Sequence, residues 1–251
     1  MTVGHYLFLS PHLDDVTLSC GGLVWDLGQQ GHRVEIWTLM AGLPTDENYS
    51  PFAQEMHANW GISGVEAVRA RRAEDQEACA VLGAELCHFD WPDAIYRYDA
   101  QTGAPIVNSD DELFSRLPEQ PLVDAIAAMI MAAVPSGATL VLPIGLGNHV
   151  DHQAVVGAGR QVPRTDFWYA DYPYINNHFE SPLIRDGRLE SVPYNLSEAA
   201  LQAWQSAVLC YTSQLSTFWR DMDETRLALR NYMAGGGGRL WRKTSLDSPQ
   251  A

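Results

Sequence analysis

The first forty residues alternate between solid apolar runs and a helically spaced stretch. Tyr6 to Ser10 is a short apolar run, and Val34 to Met40 ("VEIWTLM"), broken only by Glu35 and Thr38, reads as a second strand. Runs this short and rich in β-branched and aromatic residues predict buried strands. Between them, Val16 to Gln30 places Val16, Leu23, Val24 and Leu27 on one helical face, and Gly31 ends it. The resulting β-α-β order predicts a right-handed crossover and a parallel sheet. Pro44 to Ser63 has the composition of a loop. A helix is predicted over Val65 to Leu82, closed by Gly83, then a strand over Glu85 to Phe89. Asp90 to Pro121, rich in Pro, Asp and Ser, reads as irregular. Leu122 to Val134 predicts a helix, and Leu140 to Pro143 the most apolar strand, central to the sheet. A helix from His149 to Gly159, a strand over Phe167 to Ala170, and helices over Leu196 to Tyr211 and Thr217 to Met233 complete the pattern before Gly235 to Gly238. The expectation is an α/β fold: one Rossmann-like domain over residues 1–251, its mostly parallel sheet flanked by helices. Its core spans about 6–171 and its C-terminal helices and loops about 172–251.

Composition narrows the partners. A formal net charge of −15 over 251 residues argues against nucleic acid or an anionic membrane surface, both of which attract basic patches. No stretch reaches the ~18 apolar residues of a membrane span. The first residues run straight into strand pattern, without the basic and apolar regions of a secretory leader. Cys20, Cys79, Cys87 and Cys210 form no Cys-x-x-Cys pair and sit among apolar residues. They are expected as buried free thiols in a reducing, cytoplasmic setting.

In open α/β sheets, ligands sit beyond the carboxyl ends of the strands. Two polar motifs fall there. "SPHLDD", Ser10 to Asp15, follows the first strand; "GLGNHVDHQAV", Gly145 to Val155, follows the strand in "TLVLPI". Adjacent ionised carboxylates repel unless a cation is close. A catalytic Zn²⁺ takes three His or carboxylate ligands and leaves a position open. His12, one of Asp14 and Asp15, and one or both of His149 and His152 could supply them. The other Asp, held ionised beside the metal, could accept a proton from water. Taken singly, either motif could be a capped helix start, with Asp151 favouring the helix dipole. His5, His32, His57, His88 and His178 read as surface or structural. Gly21 and Gly22 read as helix-packing glycines, because neither GxGxxG spacing nor a P-loop lysine accompanies them. No GxSxG elbow is present.

"PHLDD" followed by "GG", with "HVDH" after an apolar strand, resembles the PIG-L / LmbE-like family of metal-dependent N-acetylglucosaminyl deacetylases. "RRAEDQEACAVLGAE" (Arg71 to Glu85), "WPDAIYR" (Trp91 to Arg97), "YADYPY" (Tyr169 to Tyr174) and "YTSQL" (Tyr211 to Leu215) are similar to further family signatures. The resemblance implies an LmbE-like fold, with His12, Asp15 and His152 as ligands of Zn²⁺ or another divalent metal such as Fe²⁺. It implies Asp14 as general base and then acid, His149 as the group that stabilises the oxyanion, and Arg71 and Asp93 as substrate contacts. The implied substrate is a small N-acetylated sugar or glycoside. Family members often assemble, which adds a homo-oligomer to the expectations. Two alternatives remain open: an amidase with the same metal centre acting on a non-sugar or thiol-conjugate amide, and a non-catalytic sugar- or metal-binding protein. Leu13 stands where proline is commoner, and Trp204 where many relatives carry lysine. Aromatic loops around Trp60, Trp91 and Tyr172 could stack on a sugar face.

Overall fold

The computed structural model describes residues 3–176 and 182–244. The elements run β1 (His5–Ser10), α1 (Asp15–Gln29), β2 (Arg33–Thr38), α2 (Pro51–Trp60), α3 (Gly64–Leu82), β3 (Glu85–His88), α4 (Asp110–Ser115), α5 (Gln120–Ala133), β4 (Ala138–Pro143), α6 (Val150–Gln161) and β5 (Phe167–Tyr169). They continue with α7 (Pro182–Arg185), β6 (Leu189–Ser191), α8 (Glu198–Val208), α9 (Leu215–Phe218), α10 (Met222–Ala234) and β7 (Leu240–Lys243). The strands form one sheet in the order β3-β2-β1-β4-β5-β7-β6. β1 to β5 are parallel, whereas β7 pairs antiparallel with both β5 and β6. This is the expected α/β architecture with an antiparallel edge added.

β1 and β4 are neighbours, with Leu7 opposite Leu140 and Phe8 opposite Val141. Their side chains alternate between the two faces, and both faces are buried. Leu7, Leu9, Leu140 and Leu142 pack under α5 and α6 with Ile126, Ile130 and Ala154. Phe8 and Val141 point the other way, onto Val16, Leu23 and Val24 of α1 and Ala78 and Leu82 of α3. The chain leaves β1 toward β2 on one side, and β4 toward β5 on the other. The gap between their carboxyl ends is therefore the point where the winding reverses, and where such a sheet leaves a crevice.

The structure corrects several sequence expectations. The stretch expected as a loop at Pro44 to Ser63 contains α2. The Ser50 hydroxyl caps it by accepting the Ala53 N–H at 3.1 Å, Pro51 supplies a preset φ, and Gly61 ends it in a left-handed conformation. The irregular stretch after Asp90 holds the short α4, which the Ser109 hydroxyl caps. The helix expected over Thr217 to Met233 is two helices. Asp221 breaks it by capping α10 through the Glu224 N–H at 2.8 Å. β6 and β7 carry no strong apolar alternation. Cys20 and Cys79 are buried, but Cys87 is exposed on the edge strand β3, and Cys210, just past α8, is half-buried. His178 lies outside the described residues. No helix among the described residues is long and apolar enough to cross a membrane.

Gly21 and Gly22 do pack a helix. Trp204 of α8 is fully buried against them, and a Cβ on Gly21 would come within 2.7 Å of its ring. Its indole N–H donates to the Thr17 carbonyl at 2.6 Å. Trp204 is thus a core side chain wedged onto α1.

Candidate active site

The turn after β1 is held by its neighbours. The Ser10 hydroxyl donates to the His12 carbonyl at 2.6 Å, while the Ser10 and Pro11 carbonyls accept the N–H groups of Leu39 and Met40, both at 2.9 Å. α1 then starts at Asp15, whose Oδ2 accepts the His12 N–H at 2.7 Å. After β4, Gly145 and Gly147 turn the chain with φ of +84° and +82°. A Cβ on Gly147 would lie 2.8 Å from the Tyr174 ring, so glycine is required there on two counts. His149 then caps α6, its Nδ1 accepting the Asp151 N–H at 3.2 Å. His152 follows one turn in.

The two turns face each other. A cleft of about 450 Å³ is lined by His12, Asp14, Asp15, Arg71, Asp93 and His149, which brings together six of the seven residues expected at the site. The seventh, His152, lies beneath it at 1% exposure. Trp60 and Tyr172 also line the cleft, whereas Trp91 stacks on Phe89 at 5.6 Å and packs against the core under α5 and α6, away from it.

Three lone pairs converge at the floor. His152 Nδ1 lies 2.7 Å from Asp171 Oδ1, and Asp171 Oδ2 accepts the N–H groups of Gly145 (2.8 Å) and Leu146 (3.0 Å). An ionised Asp171 draws the His152 proton to Nδ1, which leaves Nε2 a lone pair. That Nε2 is buried without a hydrogen-bond partner and faces Asp15 Oδ2 at 3.3 Å. His12 repeats the pattern. Its Nε2 lies 3.0 Å from Asp151 Oδ2, and its Nδ1 is 3.4 Å from the same Asp15 oxygen. Two imidazole lone pairs aimed at one carboxylate oxygen are repulsive without a positive charge among them. The donor set, two neutral nitrogens and a carboxylate, is one that Zn²⁺ and similar ions accept. These residues therefore fit a divalent cation.

Two other groupings of acceptors are close enough to consider: His12, His149 and His152, and His12, Asp93 and Asp151. The first spends His149 poorly. Its Nδ1 already accepts a backbone N–H, so the neutral ring carries its proton on Nε2 and is a donor there. In the second, Asp151 is already paired: Oδ1 lies 2.7 Å from Arg97 Nη2, and Oδ2 accepts the Ala94 N–H at 3.0 Å.

The electrostatics separate neighbouring groups. With no cation bound, burial would depress His152, but Asp15 and Asp171 outweigh it and lift it to about 10, so a cation that takes the Nε2 lone pair displaces a proton from it. Burial also opposes the charge on His12, yet Asp15 and Asp151 raise it well above the usual range. Asp15 is held well below the usual carboxylate range: burial is overcome by His152 and His12. Asp14 behaves oppositely. Burial, only partly offset by the Arg71 guanidinium with Nη2 at 3.7 Å, raises it to about 7. Burial, aided by the nearby His12, lowers His149 well below the usual range, which keeps it neutral. One of the adjacent carboxylates is thus a fixed anion and the other a group able to exchange a proton.

Sequence reasoning missed the supports. Asp151, fully buried, reads from sequence as a helix-dipole residue; it orients His12. Asp171 and Arg97 lie within quoted signatures, but nothing local marks them as buried partners of a histidine and a carboxylate.

A carboxylate able to exchange a proton, beside imidazoles that face a cation position at the switch point of an open α/β sheet, is the equipment of a hydrolase. The chain belongs to the family described as GlcNAc-PI de-N-acetylase (PIG-L), which residues 7–162 match. It is 28% identical over 245 residues to a 2'-N-acetylparomamine deacetylase of Niallia circulans, covering 88% of this chain and 85% of that protein. It is 34% identical over 181 residues to the protein of the same name from Streptomyces fradiae, covering 68% of this chain and 58% of that one. Among solved structures, a deacetylase of teicoplanin biosynthesis superposes with a TM-score of 0.76 at 26% identity, covering 97% of this chain and all of that one. The zinc-inhibited form of teicoplanin deacetylase gives 0.74 at 25% identity, covering 97% of this chain and 100% of that one.

Proposed function

We propose that the protein is a divalent-metal-dependent N-deacetylase that removes the acetyl group from the amino nitrogen of an aminosugar glycoside. The observation that carries the metal site is the convergence of His12 Nδ1 and His152 Nε2 on Asp15 Oδ2, with Asp14 next in the chain. The family and the named relatives support the deacetylase activity. The two relatives named 2'-N-acetylparomamine deacetylase support an aminosugar glycoside as substrate.

His12, Asp15 and His152 would hold the cation, and Zn²⁺ suits this set. When bound, such a cation supplies Lewis acidity, polarising an acyl oxygen and making water more acidic. Asp151 and Asp171 keep His12 and His152 in the tautomers that present lone pairs to it. Asp14 accepts the proton of the attacking water as the new C–O bond forms. His149, with its proton on Nε2, donates to the oxygen on which negative charge collects. Asp14 then gives its proton to the departing nitrogen as the C–N bond breaks, and a carboxylic acid and a free amine result. Arg71 keeps Asp14 in place and limits the rise in its proton affinity. Asp93, whose Oδ2 is 3.6 Å from His12 Nε2, is placed to touch substrate at the cleft wall.

The test is elemental analysis of purified protein, then an acetate-release screen over N-acetylated aminosugar glycosides, with non-sugar acetamides as a second panel. Zinc-dependent acetate release from the glycosides is expected. Turnover confined to the second panel would remove the sugar from the proposal, and loss of turnover with no response to any divalent metal would remove the metal.

A further inference from the structure

Helix α3 carries Arg71 to the cleft, and one turn later Glu74 makes contacts that the reaction above does not use. Its Oε1 accepts the Thr212 hydroxyl at 2.7 Å and the Ser213 N–H at 2.8 Å; its Oε2 accepts the Ser213 hydroxyl at 2.6 Å. The next residue, Asp75, is 2% exposed and accepts the Tyr211 hydroxyl at 2.6 Å. Two consecutive carboxylates thus tie down the turn that leaves α8. The residue that follows, Gln214, is 8% exposed and lines the same cleft as Asp14 and His149.

This chain of contacts decides which way the Gln214 amide faces. The Ser213 hydroxyl has one proton, and it is directed to Glu74. Toward Gln214 the oxygen can only accept. The Gln214 atom 3.1 Å from it is therefore the amide nitrogen, and the carbonyl oxygen faces elsewhere. Among the described residues no donor reaches that oxygen, and it is not among the sealed, unpartnered buried atoms. It is an acceptor of set orientation, without a protein donor, on a residue that lines the cleft together with Asp14, Arg71 and His149.

We infer that Gln214 is a specificity-determining residue. Its side-chain oxygen accepts a hydrogen bond from an O–H or N–H donor of the glycoside, with Ser213 and Glu74 as positioning residues acting through it. The identity of the ligand as a glycoside rests on the deacetylase reading; the orientation of the acceptor does not. Reversing the amide would set its N–H₂ group toward the donor and its oxygen toward the Ser213 oxygen, which has no proton to offer. The network therefore selects for a donor on the substrate.

The experiment uses the full-length, zinc-loaded protein and its Gln214→Ala, Ser213→Ala and double variants, with methyl 2-acetamido-2-deoxyglucoside as ligand. Acetate release gives kcat and KM, and an NMR titration gives the dissociation constant. Gln214→Ala is expected to raise KM and the dissociation constant about 3- to 10-fold, with kcat changed far less, as for loss of one neutral hydrogen bond. Ser213→Ala should give a smaller rise, and the double variant should be no worse than Gln214→Ala alone, because Ser213 acts through Gln214. Analogues lacking one hydroxyl each, or methylated on the amide nitrogen, name the donor: the Gln214→Ala effect vanishes for the analogue without it. Unchanged binding by Gln214→Ala overturns the inference, and additive losses in the double variant overturn the positioning role. Wild-type protein that binds the glycoside yet releases no acetate contradicts the deacetylase reading and leaves the dissociation constants to decide this one. Wild-type protein that binds no glycoside overturns it.

Discussion

Two parts of the chain meet at the cleft, and they are held in different ways. The floor, built from the ends of β1 and β4, is charged and sealed, with His12, Asp14, Asp15 and His149 at 7–8% exposure. Each imidazole that faces the cation position is oriented by a buried carboxylate from behind, His12 by Asp151 and His152 by Asp171. The opposite wall, Gln214, Thr217 and Phe218, comes from a turn and the four-residue α9, which has no buried residues. It is held by hydrogen bonds from Thr212 and Ser213 to α3 and by the partial packing of Leu215 and Phe218 on the core. In a low-dielectric floor, a lost charge partner strands another charge. At the wall, where the side chains are uncharged, a changed side chain alters what fits. On the proposed reading, the chemistry sits at the ends of the parallel strands, and the C-terminal turn adds substrate contacts to those of Arg71 and Asp93.

Substitutions at the floor should therefore have the larger effects. Asp14→Asn keeps the shape of the side chain and removes its proton exchange; turnover should fall roughly 100- to 10,000-fold while metal content stays unchanged. Asp171→Asn keeps an oxygen for the Gly145 and Leu146 N–H groups but removes the charge behind His152. It should weaken metal affinity about 10- to 100-fold, read by competition with a chelator. An unchanged affinity would mean that Asp171 only shapes the loop. Trp204→Ala tests the C-terminal segment from the other direction. It empties the wedge against Gly21 and Gly22, so denaturant unfolding should show a loss of about 3–5 kcal/mol, with kcat per folded molecule nearly unchanged. A collapse of kcat at full stability would mean that α8 positions the catalytic turn as well as packing on it.

The parts of the site that were legible in the sequence are those that strand order alone brings together. "SPHLDD" and "HVDH" each follow a solid apolar run, so a parallel α/β sheet delivers both to one edge once β1 and β4 are neighbours. The assignment among the candidates is less legible. His149 and His152 differ only in which group lies behind each ring: a backbone N–H for one and Asp171 for the other. That carboxylate enters from beyond β5, and no local spacing announces it. Arg97 pairs with Asp151 from still farther along the chain. Elements set by capping escaped in a similar way. α2 depends on Ser50 and Pro51 more than on apolar periodicity, and the break before α10 depends on one side chain, Asp221. The antiparallel β6–β7 edge is short and half-exposed, so it lacks the apolar run that identifies the inner strands.

The central claim is that the turn after β4 divides its two imidazoles, His149 and His152, by what stands behind them, one to hold a cation and one to donate a hydrogen bond from Nε2. Metal content and acetate release, measured side by side for His152→Ala and His149→Ala, test it directly. His152→Ala should lose both the metal and the activity. His149→Ala should keep the metal and lose turnover by roughly 100- to 1000-fold, as when one oxyanion donor is removed. A His149→Ala protein empty of metal, beside a His152→Ala protein that stays fully loaded, would contradict the assignment.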